Sequence, residues 1–220
     1  MPLRDGTSGK SRLAHLLDPS ARRRLVSTLA QSVVETLLDL EEIEQVLVVT
    51  ADPGFARSVL AAHADDERVR ILSQPVARPG LNAALDIARE RALVEADEPR
   101  TRGRRLLVVH ADLPALEVDD VRAVLAEQSP VVVATDRLGQ GTNLLALGPR
   151  AEHVSSYRFR FGHGSRAAHL AEAERLGVRA ALVQRPGTAT DLDTIEDWAE
   201  LPGQVRDAVG LQVPALREHT

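Results

Sequence analysis

The 220-residue chain contains no cysteine, which excludes disulfides, thiolate metal sites and cysteine nucleophiles. Aromatic residues are scarce, at 2% of the total, so aliphatic packing of Ala, Leu and Val must supply most of the core. No apolar run approaches the ~20 residues that a membrane span needs. The opening Met-Pro-Leu-Arg-Asp-Gly has no apolar stretch of the signal-peptide kind. The expected compartment is the cytoplasm, with no membrane partner. Net charge is −5, which argues against a nucleic-acid partner. The basic residues are nearly all arginine, and Lys10 is the only lysine. The length suits a single domain over residues 1–220, with about 202–220 as a C-terminal tail.

What is present is an alternation of helix and strand signals. Asp18-Pro19 is a cap followed by a first-turn proline, and Leu25, Leu29, Val33, Leu37 and Leu40 then recur at helical spacing. Further helices are expected from Asp52-Pro53 to about Ala64, over 81–94 and 118–127, from a cap at Ser165 to just before Gly177, and after Asp193. Strands are expected over 45–50, 68–73, 106–110, 130–134, 142–147 and 180–184. Such an order implies an α/β fold with a mainly parallel sheet covered on both faces. Ligands then bind beyond the carboxyl ends of the strands.

Several segments at that edge could carry chemistry. Gly6 and Gly9 flank a loop that ends in Lys10, Ser11 and Arg12, and its backbone N–H groups could approach phosphate oxygens. It is not a Walker A loop, because Arg4 stands where that motif needs glycine. Asp112, in His-Ala-Asp-Leu-Pro, directly follows the clearest buried strand and could bind Mg²⁺ or cap a turn. Asp191 and Asp193 point the same way if their segment is extended, and Asp193 or Thr194 could instead cap the next helix. Asp136 to Asn143 reads as a glycine-rich hairpin turn with polar donors. Arg160-Phe161-Gly162-His163-Gly164-Ser165 leads into a helix whose N-terminus favours an anion. Asn82, after Leu81, could read a base edge or cap a helix. His110 and His169 could be catalytic or structural.

Together these segments resemble the guanylyltransferases of coenzyme F420 biosynthesis, which act on 2-phospho-L-lactate or phosphoenolpyruvate. The matches are Lys10 to Leu13, Leu81-Asn82, Asp112 to Pro114, Asp136 to Thr142, Arg160 to Ser165 and Asp191 to Thr194, in order over residues 10 to about 201. Each is weak alone, and six in order are strong. The chain departs from the family in its short first strand, Met1 to Arg4, so the expectation is that either the chain starts late or some residues are missing ahead of it. It also has His163 where proline is common.

The resemblance implies a GT-A-type nucleotidyltransferase fold, a Rossmann-like three-layer α/β/α sandwich. It implies transfer of GMP from GTP to a small phosphorylated carboxylic acid, with Mg²⁺ as cofactor. Carried over by residue, Asp112, Asp191 and Asp193 would serve the metal. Lys10, Arg12 and Asp112 would be catalytic. Gly6, Gly9, Lys10, Leu81 and Asn82 would meet the nucleotide. Thr142, Arg160, Gly162 and Ser165 would hold the acceptor. The alternatives are a related nucleotidyltransferase with another acceptor (3-phosphoglycerate, a sugar phosphate, molybdopterin) or a non-catalytic nucleotide-binding protein. The oligomeric state, a homodimer included, is left open.

Overall fold

The computed structural model describes residues 1–4, 10–96, 104–148 and 151–219. Strands form at the aliphatic runs. β1 (Val46–Thr50) and β2 (Val69–Ser73) pair in parallel, from Val46 opposite Val69 to Thr50 opposite Ser73. The first residues extend this pair: the Leu3 N–H donates to the Val49 carbonyl at 2.8 Å, and the Val49 N–H to the Met1 carbonyl at 3.0 Å. A second sheet contains β3 (Leu106–Val109), β4 (Val131–Thr135), β5 (Thr142–Leu147) and β6 (Ala180–Val183), in the spatial order β3-β5-β4-β6.

β5 is antiparallel to both neighbours, whereas β4 and β6 are parallel. The reason is connection length. Only Asp136 to Gly141 join β4 to β5, far short of the roughly dozen residues a parallel crossover takes. The result is a mixed sheet in which β5 alone among these four is reversed. Its start, Thr142, therefore lies at the edge where the other strands end.

The helices are α1 (Pro19–Leu38), α2 (Pro53–Val59), α3 (Leu81–Ala96), α4 (Val118–Ala126) and α5 (Ala151–Ser156). They continue with α6 (Ser165–Arg175), α7 (Pro186–Ala189), α8 (Ile195–Glu200) and α9 (Gly203–Gln212). Asp18 caps α1 by accepting from the Ala21 N–H at 2.7 Å, and Asp52 caps α2 by accepting from the Phe55 N–H at 2.9 Å. α2 is shorter than its sequence pattern, because the chain tightens into a 3₁₀ turn over Ala61–His63. α6 begins at Ser165, but its cap is Gly164 in the left-handed region, with no side-chain capping bond. The expected serine cap is thus replaced by a glycine that takes the backbone into the helix, and the Ser165 side chain is buried.

Strand alternation buries both faces. Val132, Ala134, Leu144 and Ala146 face a core shared with α1, α2 and α4, which also contains Met1, Leu3, Val48 and Val109. Val131, Val133, Leu145 and Leu147 face the other core, shared with α3, α5 and α6. This is the three-layer arrangement in which a strand reads as a continuous apolar run. Gly187 allows α7 to approach α4: a Cβ there would come within 2.0 Å of Asp120 Oδ2 and 2.4 Å of the Ala115 carbonyl.

A third cluster joins Leu13 and Leu17 to Leu25 and Leu29 of α1, Trp198 of α8 and Val209 of α9. The residues after α9 form a 3₁₀ segment, Pro214–His219, that adds the fully buried Leu216. The last part of the chain therefore packs behind the loop that carries Lys10. Leu216→Ala should destabilise the protein by about 2–5 kcal/mol, as for other buried leucines. Urea unfolding measures this, and a loss within about 0.5 kcal/mol, the range of exposed positions, would mean that the segment is not core.

Candidate active site

The site is built where β3 ends. Beyond Val109 the chain leaves the sheet, but it is pinned on both sides. The His110 N–H donates to the Asn143 carbonyl at 3.1 Å, and the Asp112 carbonyl accepts from the Leu192 N–H at 3.0 Å. These bonds bring the start of β5 and the Asp191–Asp193 segment against Asp112.

Lys10 closes this arrangement. Its Nζ lies 2.6 Å from Asp112 Oδ2 and 2.7 Å from Asp193 Oδ1, and its side chain is only 6% exposed. Lys10 takes φ 54°, and among the described residues it is the non-glycine with positive φ. Such a conformation costs about 1–2 kcal/mol. It is held from behind by the 3₁₀ turn Ser11–Leu13, whose Leu13 is fully buried. Arg12 is largely exposed, with Nη1 3.9 Å from Asp193 Oδ2.

The electrostatics follow from this geometry. Burial disfavours the Lys10 ammonium, but Asp112 and Asp193 outweigh it and hold the pKa above the ordinary lysine value. Burial likewise disfavours the Asp112 carboxylate, yet Lys10, and then His110, hold its pKa below the ordinary carboxylate value. Asp191 goes the other way: burial first, and then the Asp112 charge, raise its pKa. Asp112 Oδ1 is buried without a hydrogen-bond partner. Asp193 does not cap α8; Thr194 does so, in a reciprocal pair with Asp197.

The residues expected from the resemblance to hold an acceptor lie along Thr142 and the segment before α6. Thr142 is buried and its Oγ1 has no hydrogen-bond partner. The hairpin before it is tied to α6 by Arg166, whose N–H donates to the Gln140 carbonyl at 3.1 Å and whose Nη1 donates to the Gly139 carbonyl at 2.7 Å. Phe161 packs against His110, with ring centroids 5.2 Å apart, and Gly162 follows with φ 136°. Arg160 is exposed.

Some residues have roles other than those suggested by sequence. Asn82 donates from Nδ2 to the Phe161 carbonyl at 3.1 Å and accepts from the Phe161 N–H at 2.9 Å. Its amide thus engages the Phe161 backbone with both of its polar atoms. Leu81 is partly buried against the core on that face. Gly6 and Gly9 lie outside the described residues. Among the described residues, no three His, Asp or Glu side chains form a ready-made metal cage; the Lys10 ammonium stands between two of the carboxylates. Arg166 and Tyr157 were not singled out from sequence, since neither lies in a recognisable spacing. His169 is fully buried, hydrogen-bonded through Nδ1 to the Tyr157 hydroxyl at 2.7 Å.

The three-layer α/β/α fold places the Lys10–Asp112–Asp193 cluster at the carboxyl edge of its sheet, beside the glycine-containing turn Gly162–Gly164. Solved structures share the fold. A putative nucleotide-diphospho-sugar transferase from Desulfovibrio desulfuricans superposes with TM-score 0.71 at 14% identity, over 99% of this chain and 92% of its own. A nucleotidyl transferase from Methanothermobacter thermautotroptrophicus gives TM-score 0.61 at 19% identity, over 94% and 95%. Residues 1–205 match the family described as "Guanylyl transferase CofC like", and the chain belongs to that family. The phosphoenolpyruvate guanylyltransferase of Rubrobacter xylanophilus is 38% identical over 91% of this chain and 91% of its own length. The enzyme of that name from Chloroflexus aurantiacus is 36% identical over 88% of each. The protein is therefore a nucleotidyltransferase of the guanylyltransferase kind.

The buried His169 gives this region a pH dependence. Burial lowers its pKa to about 4. Between the unfolded value near 6.5 and that folded value, the unfolded chain binds a proton that the folded chain does not, so stability falls as pH falls. Going from pH 7 to 4.5 should cost about 2–3 kcal/mol through this residue. His169→Gln should lack that component in urea unfolding at the two pH values; an equal loss in both proteins would count against it.

Proposed function

We propose that the protein transfers GMP from GTP to the phosphate of phosphoenolpyruvate, releasing pyrophosphate, as a step toward coenzyme F420. The observation that carries this reading is the Lys10–Asp112–Asp193 cluster, with its ammonium 2.6 and 2.7 Å from two carboxylates. It lies next to an acceptor loop that joins the cluster through His110 and Phe161. The choice of acceptor follows the name borne by the relatives.

The carboxylates suit Mg²⁺, a hard cation that takes oxygen ligands. Asp112 offers a buried Oδ1 that lacks a hydrogen-bond partner, and Asp191 is held near other negative charge. Asp112 and Asp191, with Asp193 beside them, would hold the metal, which when bound supplies positive charge to the phosphates and the leaving pyrophosphate. Lys10 and Arg12 bind the triphosphate of GTP. Thr142, Arg160, Gly162 and Ser165 bind the phosphoacid, helped by the N-terminal end of α6.

An oxygen of the acceptor phosphate attacks the α-phosphorus of GTP in line. The new P–O bond forms as the bond to the β-phosphate bridging oxygen breaks, and that oxygen leaves with pyrophosphate. The nucleophile is already an anion, so the protein need not remove a proton. Its residues lower the barrier by holding two anions together and stabilising charge on the leaving group. The chain acts as one nucleotidyltransferase domain over residues 1–220, in the cytoplasm, where both substrates are at hand.

The test is pyrophosphate release from GTP with phosphoenolpyruvate, 2-phospho-L-lactate or 3-phosphoglycerate, with and without EDTA. Turnover should need phosphoenolpyruvate and a divalent cation; turnover only with another acid would reassign the acceptor. Asp112→Asn should keep its fold by circular dichroism and lose about 100-fold or more in kcat. Lys10→Met should lose about 100-fold in kcat/KM. It should also melt at a lower temperature than the wild type, with Mg²⁺ raising its Tm more than that of the wild type. A Mg²⁺ response identical in the two proteins would separate Lys10 from the metal carboxylates.

A further inference from the structure

The three residues Gly162 to Gly164 cannot hold their own shape. Gly162 has φ 136° and Gly164 has φ 66°, and a Cβ added at either would meet no heavy atom within 4 Å. Glycine in these regions is free to move unless neighbours fix it. The exit is fixed, because the Ser165 N–H donates to the Gly162 carbonyl at 3.2 Å and the Arg166 N–H to the Gln140 carbonyl at 3.1 Å. The entry is Phe161, and what fixes it comes from elsewhere in the chain.

Asn82, in the first turn of α3, faces the backbone of Phe161 with both halves of its amide. Oδ1 accepts from the Phe161 N–H at 2.9 Å, and Nδ2 donates to the Phe161 carbonyl at 3.1 Å. The pair imitates one rung of a β-ladder. It requires an acceptor and a donor side by side, which asparagine has and aspartate lacks. The Phe161 ring is held as well, 5.2 Å from His110 and 4.7 Å from His169 between centroids. His169 is oriented in turn by the Tyr157 hydroxyl at 2.7 Å. A single residue at the loop entry thus ties together the first turn of α3, the segment after β3 that leads to Asp112, and α6.

We propose that Asn82 is a positioning residue for the acceptor: its amide fixes Phe161, and through it the Gly162–Ser165 loop in the shape that binds the phosphoacid. Asn82 then contributes to acceptor binding rather than to recognition of the guanine base. This rests on the acceptor role given to that loop above.

The experiment has a ligand-free arm and a kinetic arm. In the ligand-free full chain, hydrogen exchange is followed at the Phe161–Gly164 amides. Asn82→Ala and Asn82→Asp should speed exchange by about tenfold or more, the loss of one or two hydrogen bonds. Amides of β4 should not change. In the kinetic arm, both variants should raise KM for phosphoenolpyruvate by about tenfold, with KM for GTP within about twofold of wild type. Asn82→Asp retains the bond to the Phe161 N–H but sets a carboxylate against the carbonyl, so it should fare no better than alanine. Because it is nearly isosteric, it also serves if Asn82→Ala fails to fold.

A rise in KM for GTP with no change for the acceptor would overturn the proposal and return Asn82 to the base. Equal effects on both substrates with a large fall in Tm would reduce its role to general stability and overturn it too. Wild-type behaviour of Asn82→Asp would do the same. If the wild type transfers GMP to none of the phosphoacids, the fault lies with the proposed reaction. The exchange arm then decides on the clamp, which unchanged protection would refute.

Discussion

One ammonium group between two carboxylates ties together segments that are far apart in the chain. Lys10 is 102 residues from Asp112 and 183 from Asp193, and its contacts fasten the N-terminal loop to the end of β3 and to the segment before α8. Without the ammonium, Asp112, Asp191 and Asp193 would be left as like charges in a partly buried space. Burial would then push protons onto Asp112 and Asp191. Breaking a fully buried pair costs about 3–5 kcal/mol, and here less, since Asp193 is 40% exposed. The left-handed backbone of Lys10 is tolerated because Leu13 and the α1–α9 cluster anchor the turn behind it. The chemical edge of the sheet and the packing at the far end of the chain therefore depend on each other.

The reversed strand explains why so many functional groups meet at one place. In a purely parallel sheet the start of β5 would lie at the opposite edge. The six-residue hairpin turns it around, so Thr142 and Asn143 enter the sheet next to the residues that leave it at β3 and β4. β5 is also hydrogen-bonded on both sides, to β3 and β4. The edge at Thr142 consequently has a rigid floor, and the adaptable part beside it is the glycine-containing turn Gly162–Gly164.

Much of the fold was legible in the sequence because aliphatic runs and capping signals are local. The Asp18-Pro19 and Asp52-Pro53 starts hold, and each expected strand is present within a residue or two. α5 and α7 were not foreseen, being six and four residues long, too short to show a helical period. α9 does carry a signal, Val205, Val209 and Val213 at four-residue spacing, in a stretch that holds no motif. In the site, residue types were legible, as a carboxylate after an apolar strand and a lysine closing a glycine-containing segment. Their partners were not. Lys10 with Asp112, and Asn82 with a backbone 79 residues away, are pairings that only the folded topology creates. Asn82 shows the difficulty well: an amide near a nucleotide-type motif suggests base reading, yet it is used on the protein's own backbone.

The solitary lysine has a practical consequence. An enzyme whose only ε-amine lies inside its charge cluster has, in effect, a reporter group already installed. An acylating reagent can find only one lysine side chain to modify, and its access is governed by the two carboxylates that shield it and keep it in the protonated, unreactive form. The rate of labelling, followed by mass spectrometry, becomes a direct gauge of whether that cluster is closed or has been opened by whatever binds there.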